Sequence, residues 1–164
     1  MKFWIHANFD TINTKEFLMP TPKTVSVNAK LTDGFKMTSQ VRDHVMVIDQ
    51  PAAGGGTNAG PNPLEYFFLA LAGCIGTVGR IIAKQKRIEL RNIDVTLEGT
   101  ADLDRLRGVD TDARAGFEKI TAQVDIDADM THEEKLAFLK EIDARCPISD
   151  NIFNTTPVHF EVKA

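Results

Sequence analysis

Three features of the sequence predict an α+β fold. Apolar and polar residues alternate around Val25–Leu31, Ile93–Leu97 and Ile120–Ala128, the pattern of strands with one buried face. Between the first two runs, apolar residues recur at helical intervals from Leu64 to Ile82. The resulting order is strands, long helix, strands, helix, strand, which lacks the regular βαβ succession of a doubly wound sheet. A chain of 164 residues with 43% apolar and 26% charged positions suits one cored domain, so residues 1–164 are read as a single unit. The formal charge of −4 offers no broad attraction to nucleic acid or an anionic membrane, and neither is expected as a partner.

The elements follow in chain order. Residues 1–17, MKFWIHANFDTINTKEF, break their apolar positions with His6, Asn8, Asp10 and Asn13, so neither a secretory signal nor an Arg-rich presequence is expected, and the cytoplasm is the expected compartment. Val25, Val27, Ala29 and Leu31 form a first strand, and Asp33-Gly34 reverses it into a return strand carrying Phe35 and Met37. A third strand covers His44 to Ile48, and the Gly-, Pro- and Asn-rich stretch of residues 51–61 is a loop. Asn62 is an N-cap, Pro63 fits the first helical position, and Glu65 can return its carboxylate to the cap amide.

The helix that starts there runs to about residue 86, roughly 36 Å long, which exceeds what a small domain surrounds easily and invites a second subunit. Small residues at Ala70, Gly73, Gly76 and Gly79 lower its propensity but admit close backbone approach. Its charged positions, Glu65 and the closing Arg80, Lys84, Lys86 and Arg87, mark a buried helix rather than a membrane span. Two strands, 93–98 and 120–128, pair antiparallel across a polar connection. Thr131 and Glu134 make a capping box for a helix that finishes before Pro147, and Val158, Phe160 and Val162 read as a last strand.

Cys74 and Cys146 are the residues with chemical potential. A cytoplasmic chain of this length does not need one cross-link, and free cysteine also serves as a small buried hydrophobe. Cys74 lies twelve positions beyond Asn62, about 18 Å along the axis, so the first-turn amides do not reach it and another cation must activate it. Arg42 is a candidate for holding a thiolate, and Glu65 for orienting an arginine or assisting proton transfer; surface solubility and capping are the plainer explanations of the two. If the fold joins the two cysteines, a thiolate attacking a hydroperoxide becomes a sulfenic acid that the second thiol captures as a disulfide. The chain has no CxxC, no phosphate loop and no metal-ligand spacing among His6, His44, His132 and His159, so neither a metal nor a bound cofactor is expected.

The segments Arg42-Asp-His44, Asp49-Gln-Pro51, GGGTNAGPNPLEYFFLALAGC and ARCPISDNIFNTTPV together resemble the OsmC/Ohr family of peroxide-stress proteins over most of residues 24–163. The resemblance implies an OsmC-like fold, with curved antiparallel sheets around long central helices in an intertwined homodimer whose two sites form across the interface. It further implies reduction of a small hydrophobic peroxide, with Cys74 as the reactive thiol, Cys146 as the resolving one, and an external dithiol as electron donor. Leu64 stands where Ohr proteins carry glutamate after Asn-Pro, with Glu65 following, which places the chain in the broader OsmC-like branch. A noncatalytic binding protein on the same scaffold and a general thiol-disulfide oxidoreductase are the alternatives, and residues 99–117 are expected to cover the site or extend a sheet edge.

Overall fold

The computed structural model describes residues 21–163; the reading of residues 1–17 as an unexported N-terminus lies outside them. The fold is α+β as expected, with antiparallel sheets and one long helix.

Three strands form an antiparallel meander, β1 (Ala29–Asp33), β2 (Lys36–Val41) and β3 (His44–Ile48). Regular pairing begins at Ala29, so Val25 and Val27 lie outside the ladder and are exposed. The first reversal sits one residue later than the sequence reading. Asp33 pairs with Lys36, which leaves Gly34 and Phe35 as the turn, with Gly34 at a left-handed φ of 50°. Phe35 is therefore a turn residue, and its ring leans over Gly55, where a Cβ would meet Phe35 Cε2 at 2.9 Å.

Asp49 organises the loop that follows. Its buried carboxylate accepts the Thr57 hydroxyl at 2.6 Å and the backbone N–H groups of Gln50, Thr57 and Ala59 at 2.8, 2.9 and 3.1 Å. The Thr57 hydroxyl and these amides hold the carboxyl well below the ordinary carboxylate range, against the opposing effect of burial. Asp49 N–H donates to the Pro61 carbonyl, and Tyr66 Oη donates to the Val47 carbonyl, so loop and meander are tied to the start of the next helix.

That helix, α1 (Pro63–Lys86), has the predicted cap. Asn62 Oδ1 accepts from Leu64 and Glu65 N–H, while the Glu65 carboxylate accepts from Asn62 N–H at 2.7 Å. By length and composition α1 is apolar enough to span a membrane, with a mean hydropathy of 1.7 over its best window. Here it is the core helix. Leu71, Ile75, Val78, Ile82 and Ala83 face the strands and helices that pack on it.

Its covering consists of β4 (Leu90–Thr100), β5 (Lys119–Ala128), α2 (His132–Arg145) and a seven-residue helix, α3 (Pro147–Phe153). The β4–β5 hairpin has the expected antiparallel pairing, with Ile93 opposite Ile126 and Val95 opposite Val124. Gly79 marks the tightest approach: a Cβ there would meet Ile93 Cδ1 at 2.5 Å and Ile142 Cδ1 at 3.1 Å. The connection between β4 and β5 is tacked down by Phe117, whose ring stacks on Phe68 with centroids 4.7 Å apart.

At the C-terminus one expectation holds with an addition and one is corrected. Pro147 ends α2 but also starts α3, because proline at the first helical position has no amide to lose. The predicted last strand does not form: Val158, Phe160 and Val162 are in no ladder, and Phe160 and Val162 are 92% and 99% exposed. Alternation supplies a strand's side chains but not the neighbouring backbone that completes its hydrogen bonds.

Candidate functional site

The two cysteines, distant in sequence, meet in space. Cys74 projects half-buried from α1, one turn beyond Leu71. Cys146 is 1% exposed and is the sole residue between α2 and α3, serving as C-cap of one and N-cap of the other with φ −84° and ψ 110°. Both are free thiols. Cys146 and the Ile148 amide both lie close enough to Cys74 to act on its titration.

Their surroundings set the reactivity. Burial, then the adjacent Cys146 thiol, push the Cys74 thiol above its ordinary value of 9.0, and the Ile148 amide pulls the other way. Among the described residues no basic side chain contributes to that balance. Ser149 N–H donates to Cys146 Sγ at 3.4 Å, and the Ser149 hydroxyl donates to the Asp143 carboxylate. The Ser149 amide thus faces the Cys146 sulfur, and the Ile148 amide lies close enough to Cys74 to act on its titration. Sequence reading missed both, although Cys-Pro-x-Ser carries an N-cap, a first-position proline and a third-position serine, the signature of a second helix start.

The other two candidates stand elsewhere in the chain. Arg42 occupies the β2–β3 turn with a left-handed φ of 55°, at the opposite end of β3 from Asp49 and α1. Glu65 lies nine residues before Cys74, about two and a half helical turns, and so on the opposite face of α1; its carboxylate is engaged by the cap amide. Arg80 is also occupied, since its guanidinium donates to the Leu90 carbonyl.

A cavity of about 150 Å³ opens beside Ser149, walled by Leu71, Ile75, Ile120 and Ile152. A larger hollow of about 530 Å³ lies at the far end of α1, between Lys86, Glu89, Asp129 and Phe138, and neither hollow is lined by a cysteine. The dithiol, not the larger hollow, is where chemistry is available. Two neighbouring thiols can be oxidised to a disulfide and reduced again.

Comparison with known proteins identifies the family and the fold. The family model described as OsmC-like protein matches residues 55–163. An OsmC-like protein from Mycoplasma pneumoniae superposes with a TM-score of 0.71 at 20% identity, covering 82% of this chain and 91% of its own. An organic hydroperoxide resistance protein OsmC from Legionella pneumophila gives 0.61 at 20% identity, with 80% and 91% covered. The organic hydroperoxide resistance protein OhrB of Bacillus subtilis gives 0.55 at 23% identity, with 81% and 93% covered. No curated protein matches the chain by sequence. With the family match running from the glycine loop through both cysteines, and the fold shared along most of its length, the chain belongs to the OsmC-like family.

Proposed function

We propose that this protein is a thiol-dependent peroxidase that reduces small hydrophobic organic hydroperoxides. The observation that carries the reading is the apposition of Cys74 and Cys146 as free thiols at the junction of α1, α2 and α3. Membership of a family with relatives named organic hydroperoxide resistance proteins supports it. The Cys74 thiolate attacks the O–O bond of the hydroperoxide. A sulfur–oxygen bond forms, the alkoxide leaves and takes a proton to become an alcohol, and Cys74 is left as a sulfenic acid. Cys146 then closes the disulfide, which an external dithiol reduces; no bound cofactor takes part.

The half-buried Cys74 thiol needs a cation to form its thiolate, and α1 supplies none at that point. We assign that role to Arg42 of a second copy in a cytoplasmic homodimer, because its turn projects from a meander that rests lightly on its own helices. Glu65, held in the cap, acts by fixing the start of α1.

Stopped-flow oxidation of the prereduced protein by cumene hydroperoxide and by hydrogen peroxide, with intact-mass readout, tests the proposal. The expected result is faster reaction with the organic peroxide, leaving a Cys74–Cys146 disulfide lighter by the mass of the two thiol hydrogens. A folded protein whose thiols ignore both peroxides would overturn it in favour of a noncatalytic role, and turnover of disulfide substrates alone would favour a thiol-disulfide oxidoreductase.

A further inference from the structure

Around Cys146 the hydrogen bonds close into a ring. Cys146 N–H donates to the Asp143 carbonyl at 3.2 Å, Ser149 N–H donates to Cys146 Sγ at 3.4 Å, and the Ser149 hydroxyl reaches back to the Asp143 carboxylate. Only the last of these joins two side chains, and it spans the one non-helical residue between α2 and α3. Ser149 is 6% exposed, so its hydroxyl needs a partner in place of water, and Asp143 at the helix exit provides it.

We propose that Asp143 and Ser149 are positioning residues for the resolving thiol, clamping α3 against α2 so that Cys146 Sγ stays aimed at Cys74. The inference rests on the peroxidase reading for its use, not for its geometry. In the resolving step the Cys146 thiol gives up its proton and its sulfur attacks the sulfur of the Cys74 sulfenic acid. The sulfur–sulfur bond forms as the sulfur–oxygen bond breaks, and the departing hydroxide combines with the proton as water. Displacement at sulfur is directional, so a sulfur free to swing with α3 loses rate steeply even while it remains nearby. Without the clamp, the angle between the two helices would rest on the backbone of Cys146 alone, whose N–H donates to Asp143 and whose carbonyl accepts from Asp150 N–H.

Three variants test this: Ser149→Ala, which removes the hydroxyl; Ser149→Thr, which keeps it and has the neighbouring cavity for its methyl; and Asp143→Ala, which removes the acceptor at an exposed position. Disulfide closure is followed twice, once after a single turnover with cumene hydroperoxide and once with oxidised dithiothreitol, which needs no peroxide chemistry. Melting temperatures check the fold. The expected result is closure slowed about ten-fold or more in Ser149→Ala and Asp143→Ala, recovery in Ser149→Thr, and an unchanged rate of sulfenic acid formation. Closure at the parental rate in both slow candidates, or a Ser149→Thr protein that melts normally yet closes as slowly as Ser149→Ala, would overturn the clamp. A protein that ignores cumene hydroperoxide but shows the slowed closure with oxidised dithiothreitol would remove the peroxidase reading and leave the clamp standing.

Discussion

Three glycines on α1 make opposed predictions from one substitution. At Gly79 an added methyl would meet Ile93 and Ile142 within the same chain, at 2.5 and 3.1 Å. Gly79→Ala is therefore expected to destabilise by about 1–3 kcal/mol through overpacking, partly offset by about 1 kcal/mol of helix propensity. At Gly73 and Gly76 nothing lies within 4 Å of an added Cβ. For an isolated chain only propensity acts there, and each substitution should stabilise by about 1 kcal/mol, or roughly 2–4 °C in Tm for a chain of this size. If α1 packs against its counterpart in the proposed homodimer through this face, each methyl instead intrudes twice, once from each copy, and the dimer loses on the order of 2–6 kcal/mol. Sedimentation velocity across a dilution series, with melting curves alongside, separates the cases. Dissociation of Gly73→Ala and Gly76→Ala at concentrations where the parent is dimeric is expected. A rise in Tm with unaltered association would refute the packing argument for that face, while Gly79→Ala should lose stability in either case.

Four other outcomes are expected. Ile142→Ala, at a position with 0% exposure, should cost about 2–5 kcal/mol, measured as a lower urea midpoint. Asp49 has its folded pKa depressed below the ordinary 3.8, so the stability it contributes is present above that value and lost as pH falls below it. Asp49→Asn should accordingly be less stable than the parent at pH 7, with the difference shrinking toward about pH 2 in acid titrations followed by circular dichroism. For Cys74 the folded pKa is raised, so the thiolate share at neutral pH is smaller than for a free thiol; Arg42→Ala should move the midpoint of Cys74 alkylation further upward, and an unmoved midpoint would remove Arg42 from the site. Phe117→Ala gives up the stacks on Phe67 and Phe68 and should speed tryptic cleavage at Arg105 and Arg107 without lowering the global Tm by more than a few degrees.

What the sequence made legible was local. Asn62, Pro63 and Glu65 stated the start of α1 because a capping box is built from residues within one turn, and Thr131 with Glu134 did the same for α2. The alternation of β4 and β5 was equally readable, since each strand buries one face against α1. Failures came where a nonlocal contact decided. Asp33-Gly34 signalled a turn, but the register of β1 on β2 moved the loop to Gly34 and Phe35. Pro147 announced the end of one helix while the start of α3 went unread, because terminator and first-position signals coincide in one residue. The approach of Cys146 to Cys74 follows from packing of α2 and α3 on α1, which no spacing rule contains. Asp143 and Ser149 looked like ordinary polar residues until that packing brought them together.

Two deficits of the single chain have the same remedy. The first is physical: Val25 ahead of the meander, Leu31 and Val45 on it, Leu69 and Ile81 on α1, and Phe153, Phe160 and Val162 at the C-terminus all stand exposed, far more apolar surface than scattered surface residues account for. Much of it is arranged for pairing. Among the described residues the C-terminal run alternates as a strand should and has no strand beside it, while β1, β3 and β5 each present an unpaired backbone edge. The second deficit is chemical: a half-buried thiol raised by desolvation, on a helix that brings no cation to it, and an arginine carried on the outer turn of the least buried sheet. A second copy would cover the apolar surface with its own, give the C-terminal run an edge to join, and bring an Arg42 turn to a place its own chain does not reach. The proposed dimer is therefore testable from either side. Arg42→Ala should leave association intact while lowering Cys74 reactivity, whereas Phe160→Asp, which puts a charge where the C-terminal run would be buried, should weaken association and lower Cys74 reactivity together. A Phe160→Asp protein that dissociates but alkylates at Cys74 with the parental pH profile would show that the thiol's cation comes from within its own chain.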